Sequence, residues 1–439
     1  MHNRRFGATL AVGAASALVL AGCGGNGSSS DGATGSGGGS GAKGQTLTVW
    51  YMHGDYSPET MKAMKKKFEQ ETGATVKMQQ QQWNGITTKV TTALASDDPP
   101  DVIDMGNTQV ASYAAEGALM DLTSHKTELQ QGQTWLGGLQ DPATIDGKLY
   151  GMPGFAGARA VVYNKKIWQK AGVTKAPTSF DQLVTDLKKI KAQNPDPDFS
   201  AMYFPGQFWY AGLQFVWDAG GDIATQEDGK WVGGFSTPEA QKGLKAFKEF
   251  QNQFSSKASQ TLDTDKPPAD TIFAQGKAAS FIETNAYIDI VLKDNPKLKK
   301  SDLGTFPMPG KSGENQPVML GGSDWAVAAK SSKQDLALKW LKVAGSPAIQ
   351  NNWVFGHDKW IPNSKEGAKQ AGQKVPQLQK AFFTASLNSK ATPASSSWTE
   401  IEGTKAINHL FSDIASGKKS VEQAAKDFDT LLDSTLNAS

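Results

Sequence analysis

The chain has 439 residues with 45 basic and 43 acidic side chains, a formal charge of +2. That near-neutral balance excludes a nucleic-acid partner, which needs concentrated positive charge. One cysteine excludes a disulfide framework, and five scattered histidines, none at ligand spacing, give no transition-metal site, so neither metal nor cofactor is expected.

The N-terminus comes first in chain order. Arg4 and Arg5 precede an apolar run from Ala8 to Leu20 that is too short to span a bilayer. It ends at Leu20-Ala21-Gly22-Cys23, small residues before the lone cysteine. A charged start, an apolar middle and small residues at a cut site describe a secretory signal. The cysteine resembles that of a bacterial lipobox, so residues 1–22 are expected as a lipoprotein signal peptide and Cys23 as the lipidated residue. Residues 23–44 are mostly Gly, Ser, Ala and Asn. Such a tether is a flexible coil with a reach on the order of 25 Å. This implies a lipid-anchored protein on the extracellular face of the cell membrane. Without Arg4 and Arg5, 43 basic residues face 43 acidic ones.

Past the tether, Thr46–Met52 alternates in the manner of a strand. Ser57-Pro58 then caps a helix that carries Met61, Met64 and Phe68 on one face and stops at Gly73. Ala74–Gln79 reads as a strand, Ile86–Leu94 as a helix, Pro100–Met105 as a strand and Thr108–Leu119 as a helix. This alternation predicts a parallel sheet with right-handed crossovers, and ligands bind beyond the carboxyl ends of such strands. His53, Asp55 and Asn107 fall on that rim. Further along, Ala160–Tyr163, Ala278–Glu283 and Trp325–Ala329 read as strands. Phe180–Ile190, Phe208–Trp217, the Leu336/Trp340/Val343 segment and the terminal Val421–Leu432 segment read as helices.

The order of these segments resembles the extracellular solute-binding proteins of carbohydrate ABC importers, the family 1 sugar-binding proteins that include maltose and oligosaccharide binders. The matching stretches are Lys67-Phe68-Glu69-Gln70-Glu71-Thr72-Gly73, Pro99-Pro100-Asp101-Val102-Ile103, Gly147-Lys148-Leu149-Tyr150-Gly151-Met152-Pro153, Val162-Tyr163-Asn164-Lys165-Lys166, Phe273-Ala274-Gln275-Gly276-Lys277-Ala278-Ala279 and Phe306-Pro307-Met308-Pro309-Gly310. The resemblance implies an α/β, two-lobe periplasmic-binding-protein-like fold of type II, with a ligand cleft between hinged lobes. Residues 45–153 with 317–344 would form lobe 1, and 154–316 with 345–439 lobe 2. It also implies a monomeric receptor, not an enzyme, that hands a di- or oligosaccharide to membrane permease subunits. Chitobiose and N-acetylglucosamine ligands are the first expectation. A secreted carbohydrate-active enzyme would need two carboxylates across one bond, and no pair is marked; a binder of a non-sugar solute is the other alternative.

A sugar presents flat C–H faces and a ring of hydroxyls, which aromatic rings and polar side chains match. The chain holds 12 Trp, 8 Tyr and 20 Phe. Trp209, Tyr210 and Trp398 stand where the family places stacking aromatics, and Trp360 is a further candidate. Trp340 and Trp168 lie among apolar neighbours and read as core. Arg159 is the sole arginine after Arg5; its guanidinium forks hydroxyls or a carboxylate, or forms a hinge salt bridge. Asn285 lies where the family often has Gly-x-Trp, a departure that leaves Tyr287 as a substitute. Asp324, in Gly322-Ser323-Asp324-Trp325, is placed as a hydroxyl acceptor.

Overall fold

In a computed structural model, residues 42–438 are described. Cys23, the signal segment and most of the tether lie outside them. The first strand, β1 (Thr46–Met52), sends Leu47, Val49 and Tyr51 into one core and Met52 into another. The helix Pro58–Thr72 begins as the sequence predicts: Ser57 Oγ accepts from the Thr60 N–H at 3.2 Å. Gly73 ends it at φ 71°, its N–H donating to Glu69 O. Then come β2 (Thr75–Gln81), the helix Ile86–Ala95 and β3 (Val102–Gly106). The expected helix from Thr108 to Leu119 is shorter. A 3₁₀ turn at Asn107–Gln109 leads into Val110–Ala115, and Gly117 at φ 67° turns the chain away. Leu119 pairs instead with Ala328.

Two strands follow each other with only Ala158 between them, β4 (Met152–Gly157) and β5 (Arg159–Asn164). They belong to different sheets. After the helical run that includes Phe180–Gln193, Trp209–Asp218 and Pro238–Phe254 come β6 (Ser280–Thr284), β7 (Leu303–Phe306), β8 (Gly321–Val327) and β9 (Ile361–Pro362).

One sheet is six-stranded in the order β9-β4-β8-β3-β1-β2. β1 runs parallel to β2 and β3, as the alternation predicts. β8 lies antiparallel between β3 and β4, and β9 is antiparallel to β4, so the sheet is mixed rather than parallel. The second-largest sheet, β6-β5-β7, is antiparallel throughout. The parallel rule fails here because these strands return from long excursions, not from single crossover helices.

Each face of the six-stranded sheet has its own core: Leu47, Val49, Phe68, Trp325 and Trp340 on one side, Met52, Ile103, Met105 and Ala326 on the other. The three-stranded sheet packs under the aromatic helices around Trp168, Phe204, Phe247 and Phe411. Trp168 and Trp340 are fully buried, as expected of core residues. A further cluster draws from both sheets through Ala156, Ala158, Val162, Phe281, Leu320 and Ile361. Three placements differ from the expected division, the first being that β4 keeps residues 154–157 in the six-stranded sheet. Ile349 and Val354 pack with Leu47 and Trp340, and Ile361 pairs with Ala156, so the chain stays with the six-stranded sheet past Ala344 as far as Pro362. Residues 317–320 do not enter that sheet; Val318–Met319 pairs with Ser389–Lys390.

Candidate functional site

Where the two sheets meet, at the β4–β5 crossing, the carboxyl ends of β1 and β2 and the start of β8 enclose a cavity of about 400 Å³. Its lining includes His53, Asp55, Trp83, Arg159, Ser323 and Trp360. Volumes of this order suit a ligand of a few rings.

The β1 end forms one wall. The His53 N–H donates to Gln81 O at 2.8 Å, and Gly54 takes φ 94°, which lets the chain turn Asp55 inward. Trp83, 40% exposed, donates its indole N–H to His53 O at 3.1 Å. Its ring is therefore held in place while much of its surface stays open. Trp360 donates Nε1–H to Asp55 O at 2.7 Å and stacks on Phe155 at a centroid distance of 4.7 Å. Ser323 Oγ donates to Asp55 Oδ2. Gly322 has no room for a side chain, since a Cβ would sit 2.1 Å from Phe155 O. The Asp55 carboxyl is pushed up to about 6 by burial, against the lowering pull of the Ser323 and Asp104 hydrogen bonds.

The opposite wall centres on Arg159. Its guanidinium carbon lies 4.5 Å from the Tyr210 ring centroid, and Nε is 3.9 Å from Glu283 Oε2. Nε is buried without a hydrogen-bond partner. The arginine is thus oriented by an aromatic face and a long ion pair. Glu283 is raised by burial, while Arg159 lowers it.

His53, Asp55, Arg159 and Trp360 come together as the sequence suggests. Tyr210, half-buried, reaches the site through Arg159 rather than lining the cavity. Asn285 is half-buried next to Thr284, at the start of the helix Ala286–Asp294, and also does not line it. Four expectations are corrected. Trp398 is 1% exposed, donates Nε1–H to Glu402 Oε1 at 2.6 Å and packs edge-on to Trp209. Trp209, 4% exposed, shares that core. Neither offers a free face. Asn107 spends its carboxamide on the fold, donating to Gly138 O and Leu320 O at 3.4 Å each and accepting from the Thr108 N–H. Asp324 is fully buried beneath the cavity; a β-bulge at Ser323/Asp324 accompanies Ser323, not Asp324, lining the site.

Trp83, Phe155, Ser323 and Thr284 are the lining residues that sequence reasoning missed. The signal for Trp83 was its setting: a lone tryptophan in Gln79-Gln80-Gln81-Gln82-Trp83-Asn84-Gly85 has no apolar periodic partner to bury it.

Both Asp324 oxygens lack a hydrogen-bond partner, and burial pushes the carboxyl well above its ordinary range. The unfolded chain therefore loses this proton first, and stability from the group declines as pH rises above about 4. Asp324→Asn cannot ionise, so its melting temperature relative to the parent is expected to be higher at pH 7.5 than at pH 4. An equal change at both pH values would show that ionisation of Asp324 plays no part.

Comparison with known proteins gives the family of the chain. Residues 54–351 match the family described as bacterial extracellular solute-binding protein. The chain belongs to that family. The Diacetylchitobiose binding protein DasA of Streptomyces coelicolor is 37% identical over 394 residues, covering 89% of each chain. The Maltodextrin-binding protein MdxE of Bacillus subtilis is 27% identical, covering 84% of this chain and 85% of its own. Among solved structures, the sugar-binding protein MalE of Xanthomonas citri superposes with a TM-score of 0.77 at 22% identity, covering 89% of this chain and 97% of its own. The fold is the two-lobe α/β architecture of these solute-binding proteins.

Proposed function

We propose that this protein is the substrate-binding component of an ABC importer, that it captures a short amino-sugar oligosaccharide outside the cell, and that diacetylchitobiose is its first ligand. The observation that carries the reading is one cavity in which two anchored, accessible tryptophans, Trp83 and Trp360, flank the polar groups of Asp55, Ser323 and Arg159. Rings of a sugar lie on the indoles, while the carboxylate and hydroxyl take its O–H groups and the guanidinium takes an acceptor such as an acetamido carbonyl. The relationship to the diacetylchitobiose binder supports the choice of sugar. In this reading the two sheets anchor two lobes that close on the ligand as a monomeric clamp, and a lipid on Cys23 keeps the protein at the outer membrane face beside its permease.

Calorimetric titration with diacetylchitobiose tests the reading. Trp83→Ala and Trp360→Ala should each weaken binding by about 1–3 kcal/mol, as for an aromatic anchor. Trp83→Ala should move the melting temperature far less than loss of a core tryptophan, since the residue is 40% exposed and belongs to no core cluster. Saturable binding that ignores both substitutions would place the sugar elsewhere.

A further inference from the structure

Three acidic side chains converge below the cavity floor: Asp55 at the surface of the pocket, with Asp104 on β3 and Asp324 on β8 beneath it. Among the described residues none of the three is ion-paired. Asp104 is fully buried; Oδ2 accepts from the Met52 N–H at 3.0 Å, and Oδ1 receives no donor. The side chains of Asp55 and Asp104 lie within hydrogen-bonding reach of each other. Two carboxylates cannot bond in this way; one must carry a proton. The fully buried member is the one that bears charge least well, because a single N–H donor does not replace the water around a carboxylate.

We infer that Asp104 is a positioning residue: it holds a proton, donates it in a hydrogen bond to Asp55, and so fixes Asp55 as an ionised acceptor facing the ligand. The inference rests on the sugar-binding reading for its consequence, not for its geometry. Ser323 Oγ–H supplies a second donor to the same carboxylate. The other groups facing Asp55 are the Tyr56 hydroxyl and Asp324 below, with His53 on its own loop and Arg159 on the far wall of the cavity. Tyr56 and Asp324 are both driven by burial towards their neutral forms. The cluster therefore keeps one negative charge, and that charge is at the pocket.

A ligand hydroxyl that donates to Asp55 favours the ionised form. Affinity is thus steady at neutral pH and falls as pH drops through about 6, where Asp55 itself takes up a proton; the fall is at most tenfold per pH unit. Asp104→Asn keeps a neutral donor of the same shape, so diacetylchitobiose affinity and its acid limb should stay within about half a pH unit of the parent. Asp104→Leu removes the donor and should move the acid limb up by about one pH unit, weakening binding most between pH 6 and 7. A purely structural role would lower the melting temperature of Asp104→Leu without moving that limb, and this outcome overturns the inference. A limb displaced downward by more than about one pH unit in Asp104→Asn also overturns it, because the proton would then reside on Asp55. Infrared spectra of the unliganded protein at pH 7 test the proton without any sugar and without the leucine variant. A protonated-carboxyl band should lose intensity in Asp104→Asn and, separately, in Asp324→Asn. If Asp104→Asn removes none of it, Asp104 is ionised and the inference fails even where the sugar binds. If the band behaves as expected and the sugar does not bind, the ligand assignment fails instead.

Discussion

Trp398→Ala should cost the unliganded protein about 3–5 kcal/mol of stability, the range for truncating a buried tryptophan, while ligand affinity changes little. The ring is 1% exposed, its N–H is satisfied by Glu402 at 2.6 Å, and Trp209 packs against it edge-on. Removing it leaves a cavity in the aromatic core and also strips Glu402 of a donor. Glu402 is raised by burial and held down only by that hydrogen bond, so the loss pushes it further towards the neutral acid. Denaturant unfolding of parent and variant, paired with a sugar titration, measures both quantities. A stable variant with lost affinity would return Trp398 to the ligand.

Arg159→Ala should produce the larger loss of binding, about 2–4 kcal/mol, because a half-buried arginine lining a cleft is the kind of residue that dominates affinity. The substitution removes the forked donor over Tyr210 and leaves Glu283 buried without its cation. Glu283, already raised by burial, then takes up a proton more readily, so folding survives although the site is altered. Arg159→Lys restores the charge but not the planar fork or the stacking and should recover only a minor part of the affinity. Full recovery with lysine would mean that charge alone matters. Unchanged affinity in the alanine variant would confine Arg159 to a hinge ion pair.

The first third of the fold was legible because its signals are local. Ser57, Pro58 and Gly73 bound one helix, and alternation in Thr46–Met52 marks a strand whose ends the structure reproduces. Placement of β8 between β3 and β4 was not legible, since it pairs Trp325 with Asp104 and Met152, more than 170 residues away. The site divides in the same way. His53 and Asp55 follow a readable strand, and Arg159 stands out by composition. Asn107 and Asp324 looked equally available, yet their burial depends on distant groups such as Leu320 O, 213 residues from Asn107. Trp360 and Trp398 are the same residue type in comparable settings, and only three-dimensional packing separates an open ring from a core ring. Trp83 was overlooked because its neighbours are polar, which is the reason it remains exposed.

Small-angle scattering with saturating diacetylchitobiose, followed by chromatography of the recovered sugar, tests the receptor account most directly. A ligand shifts a two-state equilibrium only by its differential affinity for the closed form, and in the proposed clamp contacts from both walls, Asp55 and Trp83 on one and Arg159 on the other, tighten together on closure. The account predicts a smaller radius of gyration with sugar than without it, and disaccharide recovered intact after long incubation. Binding with no compaction would contradict the clamp. Cleaved sugar accumulating in proportion to protein through repurification would contradict the receptor itself.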